Sequence, residues 1–398
     1  MCLLVNGWCN SAFASKHPAA RPTATPTGDA LLQSAYTHFY DLEYDKCIEE
    51  FETSLKADPE NPTLINHVLQ AELFRELYRL NLLDTTLYAR EGQGFLSGAR
   101  PENADSKVRE RIMKLSDQAL AIENSRLQKN SDDIDALFAR GETRGYRSTY
   151  FALVDKNSLG ALRLAMGARN DHEHVLKLDP ANIDAKLVIG SDEYVVGSLP
   201  LAVRLMAGLA GVTGNKKKGL AYLQDVAEHS QSENVDARIA LALFLRREAR
   251  YADALKDVRS LGKEYPRNFL FALEEANLLK DSGQGLEAIA AYTNVVAKAK
   301  SGGFAQPHTE LAAYGLAESL RGQKKYQEAL EDYEFVRDST QCSRELRQRA
   351  SLAAGEVLDI LGMREQARQQ YQATIAFDSE SVQAESARKW LKSPYRGA

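Results

Sequence analysis

The sequence predicts an all-α fold, a right-handed superhelical α-solenoid built from stacked helix pairs. Three observations predict it. A short apolar pattern recurs five times in frame, its later copies are spaced almost evenly, and no proline interrupts a helix interior in a recognised copy. With 398 residues, 44% of them hydrophobic and 26% charged, the chain has the apolar material for an extended core. A repeat array can run this long without separate globular domains.

The pattern is clearest at 251–258, YADALKDV: an aromatic residue, alanine three positions later, and an apolar residue four beyond that. The same frame occurs at YDKCIEEF (44–51), GLEAIAAY (285–292), YQEALEDY (326–333) and REQARQQY (364–371). Its anchors are Cys47, Ala254, Ala288, Ala329 and Ala367, the last four 34, 41 and 38 residues apart. A 34-residue period belongs to the tetratricopeptide helix–turn–helix. The excess residues fall in connections such as AKSGGFAQPH (299–308). The small anchor lets the second helix of a pair, helix B, approach helix A closely. The large residue one turn later lies on the same face and fills the space against the next pair. Helix A carries matching small residues at Ala35, Ala242, Ala276, Ala317 and Gly355, and helix B often closes on proline, as in LKADP, LKLDP and GKEYP.

The elements follow in order. Residues 1–28 form a signal-like leader and a Pro/Thr/Ala-rich linker, with an A-x-A cleavage pattern at Ala12–Phe13–Ala14 but no basic residue before the apolar stretch. The leader predicts export to a bacterial periplasm or cell envelope; if it is not a signal, the expected location is cytoplasmic. Residues 29–233 hold one regular repeat and three enlarged ones, with long helices predicted at 63–83, 105–128 and 133–154. Residues 234–398 hold regular repeats and a capping helix near Trp390. The most apolar run, 198–212, carries Arg204 and is too short to cross a membrane, so it predicts a buried helix.

Around that run the sequence has a more specific character. GSLP (197–200), an apolar helix, a G-x-x-G-N-K-x-x-G loop and L-x-x-x-A follow one another, through Gly197, Ser198, Leu199, Pro200, Gly211, Gly214, Gly219, Leu223 and Ala227. This segment, with HFYDLEYDKCIEEFETSLKADPENP and LYRLNLLDTTLY earlier in the chain, resembles the inclusion-body-clearance family. Those are tetratricopeptide proteins of the mitochondrial outer membrane with animal relatives and bacterial counterparts. The likeness covers roughly residues 35–300. It implies an interaction role and brings no catalytic residues with it.

The residues point to no chemistry. The net charge of -5 offers no footprint for nucleic acid. Cys2, Cys9, Cys47 and Cys342 form no C-x-x-C pair, and Cys47 and Cys342 read as single packed thiols. GLAGVTGNKKKG (208–219) lacks the G-x-x-x-x-G-K-[ST] spacing and follows a helix, so Lys216, Lys217 and Lys218 read as a solvated loop or first helical turn, or alternatively as a patch for an anion or a membrane surface. His172 and His174 point in different directions from one helix, and His172 falls at a packing position. No nucleophile elbow, H-E-x-x-H or glycine fingerprint occurs, so no enzyme activity, metal or cofactor is expected.

Binding is expected instead on the inner face, lined by helix A. The repeat frame places Tyr36 and Phe39 there from the first repeat, Arg246 from a later one, then Asn277, Lys280, Tyr314 and Arg321, followed by Arg349, Glu356 and Asp359. Such a mixed groove suits a protein or peptide segment. The Lys/Asn set that would grip a terminal carboxylate is absent, with only Asn277 in place. The sequence therefore predicts a noncatalytic scaffold with protein partners. The rival readings are a peripheral membrane protein using 198–219 and, more remotely, an enzyme with a site composed from distant repeats.

Overall fold

The structure, a computed structural model, describes residues 26–89, 101, 103–201, 204, 205, 208, 212–340 and 342–397. Among these, the regular elements are helices, with no strand. The expected cleavage pattern, Cys2, Cys9 and the 92–98 loop lie outside the described residues. The chain divides into two compact units, Met1–Tyr265 and Pro266–Ala398. That boundary lies one hairpin later than residue 233, where the sequence changes from enlarged to regular repeats.

The first unit contains α1 (Pro26–Tyr40), α2 (Tyr44–Ala57), α3 (Pro62–Arg79), α4 (Ser106–Lys129), α5 (Ile134–Leu153), α6 (Ser158–Leu178), α7 (Ala185–Gly197), α8 (Lys216–His229), α9 (Asn234–Arg247) and α10 (Tyr251–Glu264). The second contains α11 (Phe269–Asp281), α12 (Gly285–Lys300), α13 (Thr309–Gly322), α14 (Tyr326–Asp338), α15 (Arg344–Ile360), α16 (Arg364–Phe377) and α17 (Val382–Lys392). These are tetratricopeptide-type hairpins. The anchors Cys47, Ala254, Ala288, Ala329 and Ala367 are fully buried, as are Phe51, Tyr292, Tyr333 and Tyr371 one turn later.

One turn recurs between helix A and helix B. Its second residue past helix A is left-handed: Leu42, Ala249, Gly283, Lys324 and Gly362, with φ between 55° and 79°. The following N–H reaches back into helix A, from Glu43 to His38, Arg250 to Leu245, Gln284 to Leu279, Lys325 to Leu320 and Met363 to Leu358, at 2.8–2.9 Å. This is the six-to-one bond that closes a helix and satisfies its last carbonyls. Helix starts vary between pairs. Several helices A begin on a side-chain cap, as at Asn61, Asp133, Asn268 and Ser343, while α7, α9 and α13 do not. The helices B α2, α10, α12, α14 and α16 begin directly from the left-handed turn without one, whereas α4, α6 and α8 are capped by Asp105, Asn157 and Asn215.

The turn also corrects one helix end. α3 stops at Arg79 rather than running to Leu83, because Asn81 is left-handed (φ 57°) and Leu82 N–H bonds Leu77 O at 2.8 Å. The chain then enters a short 3-10 turn, Thr85–Leu87, instead of a second helix. α1 likewise starts at Pro26, inside the stretch expected to be linker.

The apolar run after α7 is a second correction. Leu201, Arg204, Leu205 and Gly208 are helical and exposed, Leu201 at 62% and Leu205 at 64%. α7 and α8 pack directly against each other, and Leu201, Arg204, Leu205 and Gly208 are exposed beside that contact. No helix among the described residues is long and apolar enough to cross a membrane.

Candidate interaction site

Strongly perturbed titratable groups are a usual guide to a functional site, and the first unit has several deep inside it. Thr143 Oγ1 lies 2.7 Å from Asn66 Oδ1, 2.7 Å from Glu123 Oε1 and 3.0 Å from Ala139 O. Asn66 Nδ2 donates to Ala139 O at 2.9 Å, which fixes the amide with its oxygen towards Thr143. One hydroxyl hydrogen cannot serve three acceptors. Glu123 in its acid form donates to the hydroxyl and leaves its one hydrogen for Asn66 or Ala139; burial pushes the Glu123 pKa up to about 8. Glu123, Asn66 and Thr143 are fully or almost fully buried where α3, α4 and α5 meet, so this network ties helices together and faces no solvent. Burial similarly drives His67 down to about 3, leaving a neutral ring 2.6 Å from Tyr36 Oη. His172 is buried against Phe138 and bonds Ala168 O. Cys47 and Cys342 are free buried thiols, Cys342 raised to about 12 chiefly by burial. Among the described residues no cluster could hold a metal ion.

The residues expected to line a groove divide by unit. Tyr36 and Phe39 are 3% and 0% exposed within an aromatic cluster with Phe51, Phe74 and His67, so they cannot present themselves to a partner. Arg246 is also buried and donates to Thr85 Oγ1 at 2.7 Å. Beside it Arg247 donates to Tyr88 O, and Tyr40 Oη donates to Asp236 Oδ2 at 3.2 Å. The helix-A face of the first unit therefore closes on itself between α1, the turn after α3, and α9. In the second unit Asn277 is buried too, accepting from Tyr292 Oη at 2.5 Å. Lys280, Tyr314 and Arg321 stay half-exposed. Lys280 lies 5.9 Å from the Tyr292 ring. Arg349 stacks on Tyr314 at 4.8 Å, and Arg321 Nη2 donates to Glu356 Oε2 at 2.7 Å.

The lysine patch is largely neutralised. Lys216 Nζ pairs with Glu248 Oε1 at 2.8 Å over the Tyr194 ring, and Lys218 Nζ pairs with Glu193 Oε1 at 2.8 Å over Tyr222; Lys217 is exposed. Glu193 also takes Arg169 Nη2 and the Asn215 N–H, each at 2.8 Å. The motif glycines explain why these groups meet. A Cβ on Gly219 would lie 2.5 Å from Gly190 O, and one on Gly214 2.5 Å from Val196 Cβ. Gly197, Gly214 and Gly219 thus bring the backbones of α7 and of the start of α8 into close contact, beside the buried Glu193. Sequence alone could not pair those lysines, because Glu248 lies a repeat further on.

Pairing on the second unit's face was equally invisible. Asp359, with a side chain 1% exposed, accepts from Arg364 Nη1 at 2.9 Å, Tyr371 Oη at 2.8 Å and the Tyr395 N–H at 2.8 Å. Arg321 Nη2 donates to Tyr395 Oη at 3.1 Å, its guanidinium 5.5 Å from the ring centre. Asp359 carried a frame position, but nothing in the sequence ties Tyr395 to it.

No protein-family model matches the chain, and no curated protein does. Solved structures similar to it include a tetratricopeptide repeat protein from Parabacteroides merdae, at 14% identity over 83% of this chain and 99% of that one, TM-score 0.37. Yeast Tom70 is similar at 12% identity over 92% and 95%, TM-score 0.37. Human IFIT1, as a dimer with m7Gppp-AAAA, is similar at 15% identity over 93% and 81%, TM-score 0.45. At such values the fold rests on the chain's own hairpins and turns.

Proposed function

We propose that the chain is a noncatalytic scaffold that receives peptide or helical segments of other proteins on the helix-A face of its second unit. One observation carries this reading: Lys280, Tyr314 and Arg321 stay half-exposed on successive hairpins although each contacts a neighbour, while Tyr36, Phe39 and Arg246 are buried. A row of aromatic and charged groups, held by neighbours such as Arg349 and Glu356, suits recognition of a segment rather than chemistry. A photo-crosslinking residue at Lys280 should trap a protein that the same residue at Glu328, exposed on the helix-B side, does not. Equal trapping at both positions, or none at either, sinks the reading.

A second reading has one favourable feature, the exposed Leu201 and Leu205 beside Arg204. If it acts at a membrane surface, the full chain floats with anionic vesicles and Leu205→Ser abolishes flotation. The pairing of Lys216 and Lys218 weakens the electrostatic part of that attraction.

A further inference from the structure

The helix-A face of the last hairpins already holds a peptide segment. Residues 393–397, which follow α17, are not helical. Ser393 is extended (φ -137°, ψ 137°), as suits a residue before Pro394, and the segment lays Tyr395 onto α13 and α15. Two kinds of contact hold it. Asp359 accepts its backbone N–H, which any residue but proline supplies. Arg321 and Trp390 recognise its side chain: the guanidinium donates to the phenol and lies by the ring, while Trp390 meets the ring edge-on at 5.1 Å.

The receiving groups are set by helix–helix contacts as well as by the segment. Arg364 and Tyr371 orient the Asp359 carboxylate, and Glu356 orients Arg321. Arg364 also donates to Trp390 O at 2.8 Å and Leu391 O at 3.0 Å, fixing the end of α17. The face is therefore pre-organised for an extended strand with one aromatic anchor, and the segment itself is short and mostly exposed.

We propose that the face of α13, α15 and α17 binds an extended, tyrosine-bearing peptide segment, with Ser393–Gly397 as its resident occupant, displaced when a partner segment of the same chemistry arrives. This rests on the scaffold reading and names its ligand. A tethered segment acts at an effective concentration of about millimolar, so the wild-type face resists a competing segment until that local concentration is overcome.

The probe is a fluorescein-labelled peptide of residues 392–397, Lys-Ser-Pro-Tyr-Arg-Gly, titrated by anisotropy against the full chain. The variant Tyr395→Ala loosens the resident segment and should bind the peptide about tenfold more tightly than the wild type. Adding Arg321→Lys, which keeps the charge beside Glu356 but loses the planar guanidinium, should cost most of that gain, as should a peptide with phenylalanine for tyrosine. Thermal melts confirm that each variant is folded. Equal affinity for wild type and Tyr395→Ala, or no saturation of Tyr395→Ala at about 1 mM peptide, overturns the proposal. So does a wild-type dimer that Tyr395→Ala converts to monomer, which would place the segment on a second copy. If crosslinking at Lys280 still traps a protein that the peptide does not displace, the scaffold reading stands and this ligand does not.

Discussion

In the first unit Tyr40 donates to Asp236 across 196 positions of sequence, and Arg246 reaches Thr85 across 161. In the second, Arg321 reaches Glu356 across 35, from one helix A to the next. Both units use the same left-handed turn between helices, so the repeat itself does not make the difference. The difference lies in what is inserted between repeats. Thr85 and Tyr88 belong to the stretch that replaces an immediate second helix after α3, and those residues meet Arg246 and Arg247. Insertions turn the first unit inward, so its stability is shared across distant helices. In the second the longest of these reaches is Arg321 to Tyr395, across 74 positions, and Lys280, Tyr314 and Arg321 on its helix-A face stay half-exposed.

The largest effect that can break this contrast is steric. Gly219→Ala forces a Cβ towards Gly190 O and Tyr194 N at 2.5 and 2.7 Å, backbone atoms that have little room to move. It should destabilise the first unit by up to about 3 kcal/mol. Gly322→Ala in the second, where a Cβ meets nothing within 4 Å, should change stability by less than about 1 kcal/mol. Chemical denaturation with amide exchange as readout separates the two units; equal losses would remove that glycine contact from the account.

Next comes pH. Glu123 is raised from 4.5 to about 8 in the folded chain, so the folded state holds its proton more tightly than the unfolded one. Its contribution is complete below pH 4.5 and is lost as pH rises to about 8, on the order of a few kcal/mol. His67, lowered from 6.5 to about 3, acts in the opposite sense: its contribution is present above pH 6.5 and lost as pH falls towards 3. Between pH 6.5 and 8 the first unit of the wild type should therefore weaken more steeply than that of Glu123→Gln, whose amide keeps a donor for Thr143. Parallel profiles would show that Glu123 is not held as an acid.

In the second unit Asp359→Ala strips Arg364, Tyr371 and the Tyr395 N–H of a shared acceptor and should cost about 2–3 kcal/mol in thermal melts. The smallest expected effect is a gain. Lys324 is exposed at φ 61°, where glycine sits in the equivalent turns at Gly283 and Gly362. Lys324→Gly should stabilise by about 0.5 kcal/mol, the strain of a side chain in that region outweighing glycine's extra unfolded freedom. A loss would mean that the turn is not strained.

Much of the fold was legible because its determinants are local. Alanine anchors, a large residue one turn on and terminal prolines marked the hairpins, and the long helices at 105–128 and 133–154 fall within a residue of α4 and α5. α3 was overrun because Asn81 carries a left-handed turn without glycine to announce it. The site was less legible. Frame counting placed Tyr36 and Arg246 on helix A correctly, but could not show that the first unit folds back over them. It also read Lys216 and Lys218 as solvated, because Glu248 and Glu193 reach them only through tertiary packing. The run 198–212 was read as buried on hydrophobicity alone, without the knowledge that glycines had already closed α7 on α8.

Native-state hydrogen exchange on the full chain tests the contrast most directly. If the first unit is closed by its long-range contacts, α1 and α9 share one opening free energy, and Tyr40→Phe lowers protection in both by about 1 kcal/mol. Protection in the second unit should step from hairpin to hairpin and ignore that substitution. If α1 instead opens independently of α9, or the second unit responds equally, the two units are not built on different principles.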